Sequence, residues 1–535
     1  MVDRCLAALI EHCEIHGETD RNDPRMRYGF VIDQNRCIGC HACTVACKEE
    51  HNVPIGVYRT WVKYIEKGEF PDTKRYFGVL RCNHCDDAPC IEICPTVALF
   101  RRADGIVDFD SERCIGCKSC MQACPYDALY MDPRSQTAAK CNFCAHRVER
   151  GLEPACVIVC PEQAIIAGDL DDPTSRISRI VTAEKVSTRK PEKGTRPKLF
   201  YVGVDGDLLR PTMTEAQQTY LWAEKKADQD LYASLNDRRD RPAPGASRAV
   251  YDVSHPRPWG TKIASYLWTK SIAAGVLLVA ALLLHLGYEE DRWLLNRVGP
   301  VLALSFVGAT TLLLIFDLRR PERFYYLLTK PNLNSWLVLG GYILILYGLL
   351  AFLWLLFGLS REAVPEILYW SAAVLGICSA CYSAFLFTQA KGRDFWQSPL
   401  FLWHLLLQAI TAGSAVLVIF GALLQAAPSV IIVLGKFLGI SLVITLALIL
   451  AEMSLARASE EGKRAGALLR SGALSAGFWG LVVGLGILLP LLLLIASAFQ
   501  GRASPLTVLA ALFALVGLWV FEDLWIKAGQ AVPLS

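Results

Sequence analysis

Sixteen cysteines between Cys37 and Cys160 are the residues of this 535-residue chain whose types and spacing most plainly imply chemistry. They form four groups: Cys37, Cys40, Cys43, Cys47; Cys82, Cys85, Cys90, Cys94; Cys114, Cys117, Cys120, Cys124; and Cys141, Cys144, Cys156, Cys160. The first and third read C-x2-C-x2-C-x3-C, and Pro95, Pro125 and Pro161 follow the last cysteine of the second, third and fourth. Three thiolates this close wrap one iron–sulfur cube, while the fourth crosses to a neighbouring cube. Four complete sets imply four [4Fe–4S] clusters, and a row of clusters conducts electrons.

Other uses of so many cysteines fit less well. A disulfide framework belongs to short secreted chains. Structural zinc takes four cysteines as two separated knuckles, not as this continuous run. His41, His84 and His146 lie near the cysteines, but a Rieske-type centre replaces two cysteines by histidines, and every set here is full. These histidines read as outer hydrogen-bond donors or surface residues.

Order along the chain suggests which cysteines cross. The second and third groups exchange their last members, giving Cys82, Cys85, Cys90 with Cys124, and Cys114, Cys117, Cys120 with Cys94. The first and fourth make the outer half: Cys37, Cys40, Cys43 with Cys160, and Cys141, Cys144, Cys156 with Cys47. Residues 29–200 are thus expected as an α+β iron–sulfur domain of two ferredoxin-like halves, after an N-terminal extension over 1–28. Cys5, His12, Cys13 and His16 in that extension lack a matching second half and do not read as a metal site.

Composition places a second solvent in the problem. Mean hydropathy is +0.33, and 53% of residues are hydrophobic, which is too apolar for a soluble electron carrier alone. Eighteen cysteines precede residue 161, whereas the long apolar runs follow residue 264. A bilayer core needs about 20 apolar residues per helix. Eight spans meet this, near 265–287, 298–317, 335–358, 367–388, 399–424, 429–454, 473–498 and 505–525, making 261–528 an all-α polytopic membrane domain. Residues 201–260 read as a polar tether on the membrane face, with moderate helical character over 215–235. The segment from Arg196 could add a strand to the cluster domain. A net charge of +3 offers no case for nucleic acid as a partner.

Eight spans put both ends of the membrane domain on the cluster side. Loops there carry Arg319, Arg320, Arg323, Lys330, Lys391, Arg393, Arg457, Lys463, Arg464, Arg470 and Lys527; opposite loops carry Arg292, Arg297, Arg361 and Arg502. The positive-inside rule then expects an inner-membrane protein whose clusters face the cytoplasm. The N-terminal residues show neither a twin-arginine nor an apolar export signal, which agrees with that expectation.

With these features in view, the cysteine block resembles the four-cluster subunit of the molybdopterin oxidoreductases (the DmsB type), most closely in RCNHCDDAPCIEICP from Arg81. The membrane part resembles the polysulfide-reductase membrane subunit, the NrfD family, in DLRRPERF from Asp317, TKPNLNSW from Thr329, AKGRDFWQSP from Ala390 and QAITAGSA from Gln408. The two resemblances cover nearly all of residues 29–525, and one polypeptide carries what many relatives divide between two. They imply electron exchange between a large catalytic subunit holding molybdenum or tungsten pterin and membrane quinone, menaquinone or ubiquinone. Lipid and quinone are the other implied partners.

Quinone must meet the clusters at the membrane surface, where intramembrane polar groups default to function. Tyr266 and Lys270 lie one turn apart in the first span, Asp317 ends the second, and Tyr382 lies near the cluster-side end of the fourth. These positions resemble the polar quinone-pocket positions of the family. Lysine or tyrosine can hydrogen-bond a quinone carbonyl, and aspartate can relay its proton; Lys270 and Asp317 are expected to stabilise each other. The plainer readings are snorkelling for Lys270, a helix cap for Asp317 and interfacial anchoring for Tyr382. Glu452, His404, Glu522 and Asp523 also approach the cluster side, and His285 and Lys436 the opposite face. Cys378 and Cys381 form a C-x2-C within the fourth span and read as free thiols. The competing function is a subunit of a proton-translocating respiratory complex with a cytochrome or hydrogenase donor.

Four full cysteine sets predict about sixteen iron atoms per chain. Iron and acid-labile sulfide analysis of the purified protein tests this, and half that load would remove one of the two halves. Cys90→Ser should damage one cluster and interrupt electron flow, with the membrane helices still inserted.

Overall fold

In a computed structural model, the described residues are 26–216, 247–288, 291–360, 364–454, 459–500 and 505–535. Cys5, His12, Cys13, His16, the helical character over 217–235, half of the polar tether (217–246), Arg361, Arg457 and Arg502 lie outside them.

The cysteine-bearing domain is built from short elements whose apolar side chains, among them Phe30, Trp61, Val79 and Leu99, form one core with the buried cysteines. Strand β1 (Tyr28–Asp33), whose Gly29 to Ile32 are all buried, sits inside a four-stranded sheet. It pairs antiparallel with β8 (Ile165–Asp169) and parallel with β10 (Leu199–Val202), whose other edge takes β9 (Val186–Ser187). A long hairpin, β2 (Thr60–Glu69) and β3 (Asp72–Arg81), runs in continuous register. Two further hairpins, β4 (Leu99–Arg101) with β5 (Val107–Phe109) and β6 (Leu129–Met131) with β7 (Ala138–Lys140), follow the second and third cysteine groups and mark the two halves.

The tether boundary expected over 201–260 does not match the described residues. Tyr201 and Val202 belong to β10, Leu208 packs over Gly78 of β3, and β12 (Arg248–Tyr251) pairs antiparallel with β2 and carries the short β11 (Glu215–Ala216) as the parallel edge of that sheet. Lys67 holds the returning segment through Asp205 and Asp207 at 2.7 Å each. Polar composition concealed this, because an edge strand facing water needs few apolar side chains.

Among the described residues, eight helices are long and apolar enough to cross a membrane. They are α1 (Thr261–His285), α2 (Leu294–Asp317), α3 (Trp336–Ser360), α4 (Glu366–Gln389), α5 (Phe401–Leu423), α6 (Pro428–Ser454), α7 (Gly477–Phe499) and α8 (Pro505–Ala531). Seven agree with the hydropathy reading to within a few residues; α8 continues to Ala531 because its last turns, including Trp525, Ile526 and Ala528, are buried. Helix α1 is the most buried of the eight and packs against α2, α4, α5 and α8. At its crossing with α5 the two backbones touch at Gly275 and Gly413, where a Cβ on either residue would strike the other helix's backbone. Small residues permit such approach, and in lipid van der Waals packing drives it.

The cluster-side ends of the helices grip the cysteine domain. Arg319 and Arg320 donate backbone N–H groups to Gly116 and Ile115 carbonyls, both at 3.2 Å. The Arg323 guanidinium donates to the Ser111 and Cys114 carbonyls at 2.7 and 2.9 Å. Asn332 bonds the Cys94 carbonyl at 2.8 Å, and Ser335 the Ile93 carbonyl at 2.8 Å. On the other flank Arg393 donates to Gln122 at 2.8 Å, and Gln122 donates to Gln530 at 2.6 Å. All of these bonds land on the second and third cysteine groups or their immediate neighbours.

The crossing at Gly275 generates a prediction with a sign. Gly275→Ala overpacks backbone against backbone and should cost about 1–3 kcal/mol. Gly480→Ala, where nothing lies within 4 Å of the added carbon, should stabilise its helix by roughly 0.5–1 kcal/mol. Thermal unfolding in detergent measures both, and equal shifts would mean that the crossing is not close.

Candidate functional site

The third cysteine loop, Cys114 to Cys124, shows how sequence makes the site. Gly116 and Lys118 flank Cys117 with positive φ values of 69° and 64°, as Gly39 and His41 flank Cys40 with 71° and 61°. This alternation turns the loop so that its thiols converge. A second repeat follows each Cys-Pro: Val97, Asp127 and Gln163 all have positive φ, three residues after Cys94, Cys124 and Cys160. The next residue is alanine each time, and the amides of Ala98, Ala128 and Ala164 hydrogen-bond the sulfur of that cysteine. The motif C-P-x-x-A, present three times in the sequence, was the signal for these donors and was not read. Left-handed non-glycine residues cost energy and persist where surroundings over-determine them.

The thiols gather in four groups. Cys37, Cys40, Cys43 and Cys160 line one small cavity, and Cys94, Cys114, Cys117 and Cys120 another. Cys47 lies among Cys141, Cys144 and Cys156, and Cys90 among Cys82, Cys85 and Cys124. The groups also stand in line: Cys43 neighbours Cys156, Cys141 neighbours Cys82, and Cys120 neighbours Cys90. Burial, with added thiol repulsion, pushes Cys117 and Cys144 up to about 12. As thiolates such sets need a strongly positive centre between them. Among the described residues no three Cys, His, Asp or Glu side chains close on a single ion position, as expected where each set surrounds an object larger than one ion. The donor set, its spacing and its amide donors fit four-iron clusters.

Polar side chains tune the outer pair of groups. Arg81, fully buried, donates to the Cys156 sulfur at 3.0 Å and stacks over the Phe30 ring at 4.6 Å. Cys156, Cys141 and Cys43 all act on its charge and hold its guanidinium above the usual range against the penalty of burial. Arg81 thus supplies a positive charge between two groups of thiols. His51 Nε2 lies 3.1 Å from the Cys144 sulfur; burial lowers this imidazole to about 4, so it is neutral near pH 7. Neither residue was singled out from sequence. Of the histidines that were, His146 pairs with Glu50 at 2.7 Å, His41 packs on Tyr64 and Tyr251, and His84 accepts the Val107 amide at 3.2 Å.

Below the innermost group lies a cavity of about 410 Å³ among the cluster-side ends of α1 to α4. Cys117 and Ser119 form its roof, with Tyr266, Asp317 and Tyr382 on its walls among Ile263, Val338, Leu344 and other apolar side chains. Three of the four sequence-named membrane residues therefore meet in one place. Lys270 does not line this cavity. It lies 4.7 Å from the centre of the Tyr382 ring and donates to the Ala380 carbonyl at 2.9 Å and the Ser383 hydroxyl at 2.6 Å.

The expected Lys270–Asp317 pair is replaced by a different one. Asp317 pairs at 2.8 Å with Lys118, the residue after Cys117, and both side chains are nearly buried. A cluster-loop lysine reaching into the membrane domain has no signature within either segment, which is why the wrong partner was assigned. Cys378 and Cys381 are free thiols. Glu452 and His404 face each other at 3.1 Å, Asp523 pairs with Lys527 at 2.6 Å, and His285 packs on Trp370 at the far face.

Comparison with known proteins agrees with both parts. Residues 28–49 match a 4Fe-4S binding domain and residues 73–170 a 4Fe-4S dicluster domain. One of the subunits of tetrathionate reductase from Salmonella typhimurium is 44% identical over 211 residues, 39% of this chain and 84% of that protein. Protein NrfC of Escherichia coli K12 is 46% identical over 180 residues, 33% of this chain and 81% of its own. The arsenate respiratory reductase iron-sulfur subunit ArrB of a Shewanella species is 37% identical over 227 residues, 33% of this chain and 96% of its own. These relatives correspond to one part of a longer polypeptide. Residues 250–533 match polysulphide reductase, NrfD, and this protein belongs to that family, with iron–sulfur binding domains joined to its membrane helices.

Proposed function

We propose that this chain passes electrons through four [4Fe–4S] clusters between a molybdenum or tungsten pterin catalytic subunit and membrane quinone. The ligand sets are Cys37, Cys40, Cys43, Cys160; Cys47, Cys141, Cys144, Cys156; Cys82, Cys85, Cys90, Cys124; and Cys94, Cys114, Cys117, Cys120. The clusters supply one-electron transfer, and the chain's own residues fix their spacing and electrostatics. The alignment of the four thiol groups supports a single path, with the first set outermost and the last nearest the membrane.

The observation that carries this reading is the cavity roofed by Cys117 and Ser119. A quinone ring there would lie directly beneath the innermost cluster, with its tail running out between apolar side chains. Tyr266 and Tyr382 are hydroxyl donors for its carbonyls, and Asp317, held by Lys118, fixes the roof against the wall. Lys270 orients Tyr382 from behind and does not touch the ring.

The outer end suits a partner protein. Cys40 is exposed beside Ile38 and Val45, 56% and 64% exposed, with Ile158 at 57%. An apolar patch around an exposed cluster cysteine is the surface on which the catalytic subunit would dock.

Sidedness has a partial structural basis. Arg320, Arg323 and Arg393 bond the cysteine domain, so they are needed on that face whichever compartment it meets. Lys391 also pairs with Glu92 of that domain at 3.7 Å; Lys330, Arg457, Lys463, Arg464, Arg470 and Lys527 remain in loops on that side against Arg292, Arg297, Arg361 and Arg502 opposite, and this excess favours the cytoplasm.

Gly341 lies on the cavity wall with nothing within 4 Å of an added Cβ. Gly341→Phe should fill the cavity and slow reoxidation of reduced clusters by a quinone analogue roughly ten-fold or more, a loss of about 1.4 kcal/mol or more. Cluster reduction by dithionite should be unchanged; wild-type reoxidation would place quinone elsewhere. For sidedness, a protease site inserted at the exposed turn around Phe70 should be cut in inverted vesicles and protected in spheroplasts. Cutting in spheroplasts alone would put the clusters outside.

A further inference from the structure

Four ionisable side chains that the electron path does not use are gathered between α1, α5, α6 and α8. Lys270 and Glu522 have no exposure and His404 has 1%, while Glu452 faces His404 from α6. Ionisable groups among apolar helices are costly and need a reason. The polar atoms of Glu522 and His404 are poorly served by the protein. Neither Glu522 carboxylate oxygen has a hydrogen-bond partner, nor does His404 Nδ1 or Gln408 Oε1. His404 Nε2 and Glu452 Oε2 are 3.1 Å apart but not aligned for a hydrogen bond. Buried acceptors and donors left this way are normally met by internal water.

Depth orders them. Glu452 is two residues from the cluster-side end of α6 and His404 three from that of α5, so both lie about 3–5 Å in. Gln408 is seven residues into α5, about 10 Å, and Lys270 nine into α1, about 13–14 Å; Glu522 is level with His404, whose ring stacks on the adjacent Phe521, as Phe401 stacks on Trp525. Glu452 opens on water: it lines a groove of about 1050 Å³ between the cysteine domain and the membrane loops, and a smaller cavity of about 270 Å³ beside it. Glu522 is the charge that acts most strongly on Lys270. Lys270 donates to the Ser383 hydroxyl at 2.6 Å, and Ser383 hydrogen-bonds Tyr266 on the cavity wall. A line of proton-bearing groups therefore runs inward from the groove and back out to the cavity.

Among the described residues, the far half of the bundle offers no matching line of charged side chains. Towards the opposite face the buried ionisable groups there are Asp291, which lies in the loop and accepts the Ala427 amide, and Tyr369 in the first turn of α4. Lys436 is exposed.

We infer that Glu452, His404, Glu522 and Lys270 form a proton path between the cluster-side groove and the cavity, so that protons and electrons enter from the same side. The inference rests on quinone binding in the α1–α4 cavity. One quinone takes two electrons from the clusters and two protons from this path to become quinol; quinol oxidation returns both by the same routes. No charge then crosses the bundle through these residues.

The test uses the purified complex in liposomes with the cysteine domain outward, dithionite as impermeant donor, decylubiquinone as acceptor and pyranine trapped inside. The lumen should hold its pH during turnover; alkalinisation by about two protons per quinol, the stoichiometry of proton uptake from the far face, would overturn the path. Glu522→Gln and His404→Gln should each slow quinone reduction roughly 100-fold, the scale of a lost proton-transfer group. Cluster spectra and decylubiquinone affinity should be kept, and the solvent deuterium effect should rise. Wild-type rates in both, with Gly341→Phe inactive, would overturn the path alone. Full activity in Gly341→Phe would instead overturn the cavity reading on which it rests.

Discussion

The Lys118–Asp317 pair is the contact through which the two halves of this protein become one device. Lys118 follows Cys117 in the loop nearest the membrane, and Asp317 closes the second spanning helix at the cavity wall. Electron tunnelling falls steeply with distance, so in the electron path proposed above the innermost cluster must be held close to its acceptor and not merely tethered near it. Removing either partner of a nearly buried pair leaves an uncompensated charge at a cost of about 3–5 kcal/mol. Around the pair, Arg319, Arg320 and Arg323 bond backbone groups of the same loop. The loop's open carbonyls, expensive to bury unpaired, thereby become the adhesive that fixes its position.

Backbone geometry and electrostatics in the cysteine domain answer to a common demand. Thiols brought together in fours repel as thiolates, and burial raises the penalty; a metal centre, amide donors and Arg81 oppose it. The left-handed residues around Cys40 and Cys117, and after each Cys-Pro, aim N–H groups inward at the sulfurs. A domain organised in this way shares one core between thiols and apolar side chains, Phe30, Trp61, Val79 and Leu99 packing among the buried cysteines, and its two short hairpins lie beside the thiol groups they follow. Its long β2–β3 hairpin and β12 extend a sheet beyond the thiols and tie the returning chain to the membrane helices.

What the sequence made legible were features with a local period. Four cysteine sets are visible as spacing, and eight helices as runs of apolar residues, because each is decided within some twenty residues. Tyr266, Asp317 and Tyr382 were found because polar groups stand out in apolar helices. Lys270 was misplaced onto the cavity wall because depth along a helix was legible and rotation about its axis was not. Helix α1 is apolar on every side, so no stripe shows which neighbour each residue faces. The partner of Asp317, the sheet formed by β12 and the role of Arg81 all depend on contacts between distant segments, and no one-dimensional pattern encodes them.

The motifs that mark the membrane part acquire physical meanings once placed. DLRRPERF supplies the cavity aspartate and the arginines that hold the cluster loop; TKPNLNSW supplies Asn332 and Ser335, which bond the carbonyls of Cys94 and Ile93. AKGRDFWQSP supplies Arg393, and QAITAGSA supplies Gly413 at the crossing with α1. Three of the four act on the junction with the cysteine domain and one on the packing that keeps α1 in place beneath it. A membrane sequence selected for docking a cluster loop therefore concentrates cations on one face for reasons unrelated to insertion. Topology signals in such proteins are best weighed on the cations left over after the docking contacts are removed.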